Sequence, residues 1–306
     1  MISPKPLKRG DKVGIVATAR KVSEDQIRPA IQILESWGLE VILSPMLFQT
    51  SHGYLAGTDE ERIAAFQQFL DHPDLDAILC ARGGYGTTRI IDELRFDEFS
   101  KHPKWVVGFS DVTALHLRLA RMGFESIHGI MPLLFSKDGA ESSVAHLHDA
   151  LFGEPLQLTA DANQFNHHGK ATGKLIGGNL SLLVDSLGSP DQPETKGKIL
   201  VVEEVDEYLY KIDRMFVQLK RAGKLDALAG LIVGHFTDAK DSDLKFGESV
   251  EEIIRTHTRI YSYPVAFGFP TGHENPNHSW IHGREAVLIV NENGSTLNHS
   301  LQSDIV

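Results

Sequence analysis

Over the first 130 residues, short apolar runs alternate with amphipathic stretches. Residues 12–17 read as a buried strand. Ser23 and Gln26 follow with capping-box spacing, and Ile27, Ile31, Leu34 and Trp37 share one helical face that stops at Gly38. Pro29 falls inside that stretch, where a helix loses a backbone donor, so the start of the helix is open. Residues 40–43 predict a second strand. Thr58 and Glu61 make another capping box, ahead of a face carrying Ile63, Phe66 and Leu70. Residues 77–80, 105–107 and 126–128 predict three more strands, with helical patterns between them. Alternating strands and helices imply crossover connections and a parallel sheet covered on both faces, a doubly wound α/β domain.

The pattern changes after that. Residues 136–170 are more polar and hold only a short helical stretch around Val144 to Leu151, so they are expected to link two domains, 1–135 and 171–306. In the second half, residues 198–202 and 231–233 predict strands and residues 212–222 a helix. Residues 286–297 predict a hairpin turning at Asn293 and Gly294. That mixture predicts a smaller α+β domain beside the first.

Composition narrows the class. With 306 residues, 42% hydrophobic and 23% charged, the chain is ordinary for a globular protein and long enough for two cores. Thirty Lys and Arg against 41 Asp and Glu give a net charge of −11, which disfavours nucleic acid and anionic membrane as partners. Cys80 is the lone cysteine, the N-terminus lacks a secretory pattern, and no apolar run approaches the ~18 residues of a membrane span. A cytoplasmic protein is expected.

In an open parallel sheet, ligands collect beyond the carboxyl ends of the strands. Two segments there carry chemistry. After the third strand comes Arg82-Gly83-Gly84-Tyr85-Gly86. Its backbone N–H groups suit an oxyanion or carboxylate and Arg82 a bidentate clamp, although an ordinary turn fits too. After the fourth comes Gly108-Phe109-Ser110-Asp111-Val112-Thr113. This resembles a nucleophile elbow, with Val112 where the second glycine usually stands; the alternative is a serine that only caps the helix. A nucleophilic serine needs a base and an orienting carboxylate. His273, in a loop after the apolar run 265–267, and Glu203 and Glu204, at the end of an apolar strand, are the candidates. A solvated acidic turn is the plainer reading of the two glutamates, and His273, His278 and His282 could instead be metal ligands. Neither a paired-cysteine nor an HExxH pattern is present, so no metal is expected. No nucleotide-binding glycine pattern occurs either, and no cofactor is expected.

Together these segments resemble the serine LD-carboxypeptidases, the murein tetrapeptide carboxypeptidases and microcin C self-immunity proteins of peptidase family S66. The resemblance spans nearly the whole chain. It runs through Arg82–Gly86, Gly108–Thr113, His128-Gly129, Gly177-Gly178-Asn179-Leu180, Glu203–Glu207 with Tyr210–Arg214, and Gly272-His273. It implies a flavodoxin-like or amidotransferase-like N-terminal domain with the smaller domain beside it, and a site between them. It also implies Ser110 as nucleophile, His273 as base and Glu203 as orienting carboxylate. The N–H of Asp111 and one from Gly84 or Gly86 would form the oxyanion hole, with Arg82, Tyr85 and Asn179 near the substrate. The implied reaction releases D-alanine from a cytoplasmic murein tetrapeptide, by a homodimer. The rival expectations are cleavage of peptidyl-adenylate analogues, a non-catalytic peptide-binding protein, and a class I amidotransferase-like enzyme, which would need cysteine at position 110.

Overall fold

The computed structural model describes residues 1–49 and 53–300. Five parallel strands, β1 (Lys12–Val16), β2 (Glu40–Leu43), β3 (Ala77–Cys80), β4 (Trp105–Gly108) and β5 (Ser126–His128), build the first sheet in the order β2-β1-β3-β4-β5. Alternate residues of each strand point to opposite faces. On one face, Val13, Leu79, Val107 and Ile127 pack against helices α1 (Glu24–Ser36) and α5 (Glu141–Phe152). On the other, Ile78, Cys80 and Val106 pack against α2 (Asp59–Asp71), the short α3 (Asp97–Lys101) and α4 (Thr113–Met122). This is the doubly wound arrangement the alternating pattern predicts. Both expected capping boxes are present, and α1 continues through Pro29.

The second sheet has seven strands in the order β10-β9-β8-β7-β12-β13-β6. They are β6 (Gln157–Ala160), β7 (Gly169–Asn179), β8 (Ile199–Val205), β9 (Gly230–Thr237), β10 (Val265–Phe267), β12 (Glu285–Asn291) and β13 (Gly294–His299). The pairs from β7 to β10 are parallel, and those from β7 to β6 are antiparallel. Helices α6 (Leu180–Asp185), α7 (Leu209–Arg221) and α8 (Val250–Thr258) cover one face of the parallel part. The hairpin β12–β13 turns at Glu292 and Asn293, with Asn291 opposite Gly294. Residues 136–170 hold two packed elements: α5 buries Leu147 and Leu151 on the first sheet, and β6 pairs with β13 in the second.

One strand ties the halves together. β11 (Trp280–His282) leaves the second half and pairs antiparallel with β5 on the edge of the first sheet. Residues 268–279 therefore cross from one sheet to the other. Among the described residues, no helix is long and apolar enough to cross a membrane.

Around β5 and β11 lie three fully buried histidines, His116, His128 and His282, with the Trp280 ring stacked on the last two. The carbonyl of Gly108 can only accept, so His116 donates from Nε2 at 2.9 Å and its Nδ1 accepts from Ser126 at 2.8 Å. His116 is thus a neutral ring. Burial pushes its pKa down to about 4, and holds His128 and His282 well below the ordinary 6.5. The unfolded chain therefore binds protons the folded chain refuses, and stability falls as pH drops below 6.5 toward the folded values. Each ring contributes on the order of 1 kcal/mol per pH unit in that window. Urea midpoints measured from pH 7 to pH 5 should fall steeply, and less steeply in His116→Gln. A flat profile would contradict neutral burial of these rings.

Candidate active site

Ser110 follows β4 and is held at φ 61°. For a residue with a Cβ this left-handed conformation is strained, and it turns the side chain out of the helix that follows. A 3-10 turn, Ser110–Val112, leads into α4, and Val112 occupies the N-cap of that helix, so Ser110 does not act as the capping serine. The turn is tight because Gly108 allows it: a Cβ there would lie 2.8 Å from both Cγ atoms of Val112. Val112, standing in place of a second glycine, fills the space that Gly108 leaves.

The hydroxyl of Ser110 lies 3.0 Å from Nε2 of His273, and Nδ1 of the same ring lies 2.6 Å from Oε2 of Glu203. A carboxylate only accepts, so Nδ1 carries the proton and leaves Nε2 of the neutral ring free to receive one from Ser110. Glu203 is wholly buried within β8, not in a solvated turn, and its Oε1 has no hydrogen-bond partner among the described residues. The approach depends on Gly272, at φ 129°. A Cβ there would lie 3.1 Å from the Glu203 side chain and from Cβ of His235. Asn277 accepts from the Gly272 N–H at 3.0 Å and fixes the loop. Burial opposes a charged His273 ring, but the Glu203 carboxylate, its hydrogen bond and nearby Glu204 outweigh it and raise the pKa above the ordinary 6.5.

The other expected site residues fall into place unevenly. Of the loop glycines, Gly83 faces the serine: a Cβ on it would lie 3.1 Å from Cβ and 3.2 Å from Oγ of Ser110. Gly84 and Gly86, the expected ones, have their Cβ sides against Arg20 and Arg62. Asp111 sits in the 3-10 turn ahead of α4, where the first backbone N–H groups lack intrahelical acceptors. Its buried carboxylate accepts from the Thr87 N–H at 2.9 Å and anchors the glycine loop. Arg62, buried inside α2, donates to the carbonyls of Thr18 and Gly86 and anchors the same loop from beneath. Arg82 is half-buried and donates to the Lys21 carbonyl; Tyr85 is exposed.

Asn179 makes its side-chain contacts within the protein. It is buried, its oxygen accepts from the Leu182 N–H, and its amide nitrogen donates to Oε1 of Glu204. Glu204 also accepts from the N–H and hydroxyl of Ser181 and from the Val205 N–H. Asn179 therefore braces the second glutamate. The metal alternative finds no support in the geometry, because the three histidines diverge. His278 pairs with Ser142, and His282 accepts from the Gly177 N–H. Among the described residues no three His, Cys, Asp or Glu side chains could share an ion.

Arg62 had a legible signal, a lone arginine at helical spacing from Phe66 and Phe69. Gly83 had none, since which of three neighbouring glycines turns toward the serine depends on tertiary packing.

A strained serine at a strand-to-helix turn, hydrogen-bonded to a histidine that a buried carboxylate holds, defines the class of serine hydrolases on a doubly wound fold. Residues 13–129 match the family model for the LD-carboxypeptidase N-terminal domain, and residues 172–288 that for the LD-carboxypeptidase C-terminal domain. The chain belongs to the LD-carboxypeptidase family, whose enzymes are serine-type carboxypeptidases. It is 36% identical over 297 residues to a probable murein peptide carboxypeptidase of Bacillus subtilis, covering 93% of this chain and 91% of the relative. Identity to a murein tetrapeptide carboxypeptidase of Pseudomonas aeruginosa is 30%, covering 90% and 92%. The crystal structure of a muramoyltetrapeptide carboxypeptidase from Oxalobacter formigenes superposes with a TM-score of 0.86 at 29% identity, covering 94% and 98%.

Because the neutral His273 ring is the form that can take a proton, activity should fall as pH drops through its raised pKa. The acid limb of kcat/KM is expected above pH 6.5, and Glu203→Gln should shift it downward while lowering the rate. A limb that stays in place in Glu203→Gln would contradict the coupling.

Proposed function

We propose that the protein is an LD-carboxypeptidase that releases the terminal D-alanine from murein tetrapeptide, using Ser110 as nucleophile, His273 as base and Glu203 as the group that orients it. One observation carries the reading: a single imidazole hydrogen-bonded at Nε2 to Ser110 and at Nδ1 to Glu203. His273 takes the hydroxyl proton as the Ser110 oxygen attacks the carbonyl of the amide between an L-centre and D-alanine. Negative charge on the carbonyl oxygen then meets backbone N–H groups of the elbow and the glycine loop. Each such donor is worth about 3 kcal/mol in sites of this kind. His273 returns the proton to the amide nitrogen, D-alanine leaves, and an ester remains on Ser110. Water attacks that ester with His273 again as base, restoring the serine and freeing the tripeptide acid.

The relatives named for murein peptides support this substrate class. In the same reading the enzyme works in the cytoplasm, on peptides recovered from wall turnover, as a homodimer. The lone cysteine, Cys80, buried and unpaired, is in keeping with a reducing compartment.

The test is free D-alanine released from purified murein tetrapeptide. Wild type should release it, and Ser110→Ala should lose at least about 10³-fold in kcat with little change in thermal midpoint. Full turnover by Ser110→Ala, or no release by wild type, would overturn the reading.

A further inference from the structure

The order β2-β1-β3-β4-β5 reverses direction between β1 and β3, and crevices at such reversals are where open α/β sheets take ligands. Two arginines stand there. Arg20 comes from the segment after β1, and Arg82 from the segment directly after β3. The stem of Arg20 lies across Gly84. A Cβ on that glycine, at φ 117°, would fall 2.2 Å from Arg20 Cδ, so only a glycine leaves room for the arginine. The preceding residue, Gly83, is the one that faces Ser110. The Arg20 guanidinium sits 4.8 Å from the centre of the Tyr54 ring, and Arg82 is tethered to the Lys21 carbonyl. Both are half-buried, and among the described residues neither has a carboxylate partner. Burial, and then the neighbouring charge of Arg20, lower the Arg82 pKa. Two guanidiniums beside one glycine loop, with no carboxylate partner among the described residues, form a site that an anion would relieve.

We propose that Arg20 and Arg82 form the subsite for the C-terminal carboxylate of the leaving D-amino acid, and so make the enzyme a carboxypeptidase rather than an endopeptidase. The inference rests on the reading of Ser110 as nucleophile. In such a substrate the carboxylate carbon lies two bonds past the scissile nitrogen, ~2.5 Å from it. Gly83 faces Ser110 and the next residue, Gly84, lies under Arg20, so a carboxylate projecting along the glycine loop would meet that arginine. A guanidinium fork matches the two carboxylate oxygens, and the Tyr54 ring keeps that fork flat against the loop. A terminal carboxamide has the same size but no charge, and would leave both arginines unpaired.

The experiment compares murein tetrapeptide with its C-terminal carboxamide, in two formats. In turnover, wild type should favour the acid. Arg20→Met should lower kcat/KM for the acid by about 10- to 100-fold, the weight of a charge-assisted hydrogen-bond pair, and leave the carboxamide unchanged within about twofold. Arg20→Lys, which keeps the charge but not the fork, should fall between. In binding, Ser110→Ala protein should hold the acid more tightly than the carboxamide, and lose that preference when Arg20→Met is added. Equal losses for both substrates, or none, would overturn the subsite while leaving D-alanine release by wild type intact. Binding that discriminates through Arg20 without turnover would retain the subsite and reject the catalytic reading.

Discussion

The His273 ring is held at both ends, by Glu203 at 2.6 Å and Ser110 at 3.0 Å, and those two residues belong to different sheets. A hydrogen bond loses most of its value within a few tenths of an ångström or a few tens of degrees. The relative position of the two sheets is therefore set more strictly than packing alone would require. The chain meets this demand by carrying His273 on the segment that passes from β10 in the second sheet to β11 in the first. Because β11 pairs with β5, beside β4 and its elbow, the loop is pinned on the serine side. Its other end follows β10, two strands from Glu203.

Glycines set the remaining distances, each for a different steric reason. Gly108 lets Val112 fold back beneath the strained serine, Gly83 leaves the Ser110 hydroxyl accessible, and Gly272 lets the histidine loop lie against Glu203. Around them, buried charge does structural work. Arg62 and Asp111 anchor the glycine loop, and Glu204, braced by Asn179 and Ser181, stands beside Glu203 and strengthens the field that favours a protonated His273. Behind the elbow, neutral His116 holds the Gly108 carbonyl. The site is thus supported by groups whose burial is costly unless each finds its partner.

The doubly wound half was legible because its strands are short apolar runs buried on both faces, separated by capped helices. The second half was harder to read. β7 changes character midway: residues 170–174 alternate between exposed and buried beside β12, whereas residues 175–179 are buried throughout beside β8. A strand that is half antiparallel and half parallel shows neither pattern for its full length. β11 was missed because three residues of an edge strand carry no periodicity. Within the site, Ser110, Glu203 and His273 were reached through ordered motifs and a family resemblance, not from spacing alone. Gly83 facing Ser110 and Arg20 lying across Gly84 carry no sequence signal, because which way a loop or side chain turns is settled only after the sheets have packed.

The central claim is that Ser110 is a nucleophile made reactive by His273. It is tested most directly by treating the folded protein with a serine-directed fluorophosphonate and following its intact mass. A single adduct that maps to Ser110, forming at least about 10²-fold more slowly in His273→Ala, is the expected result. An adduct on another residue, or one that forms as fast without the imidazole, would contradict it.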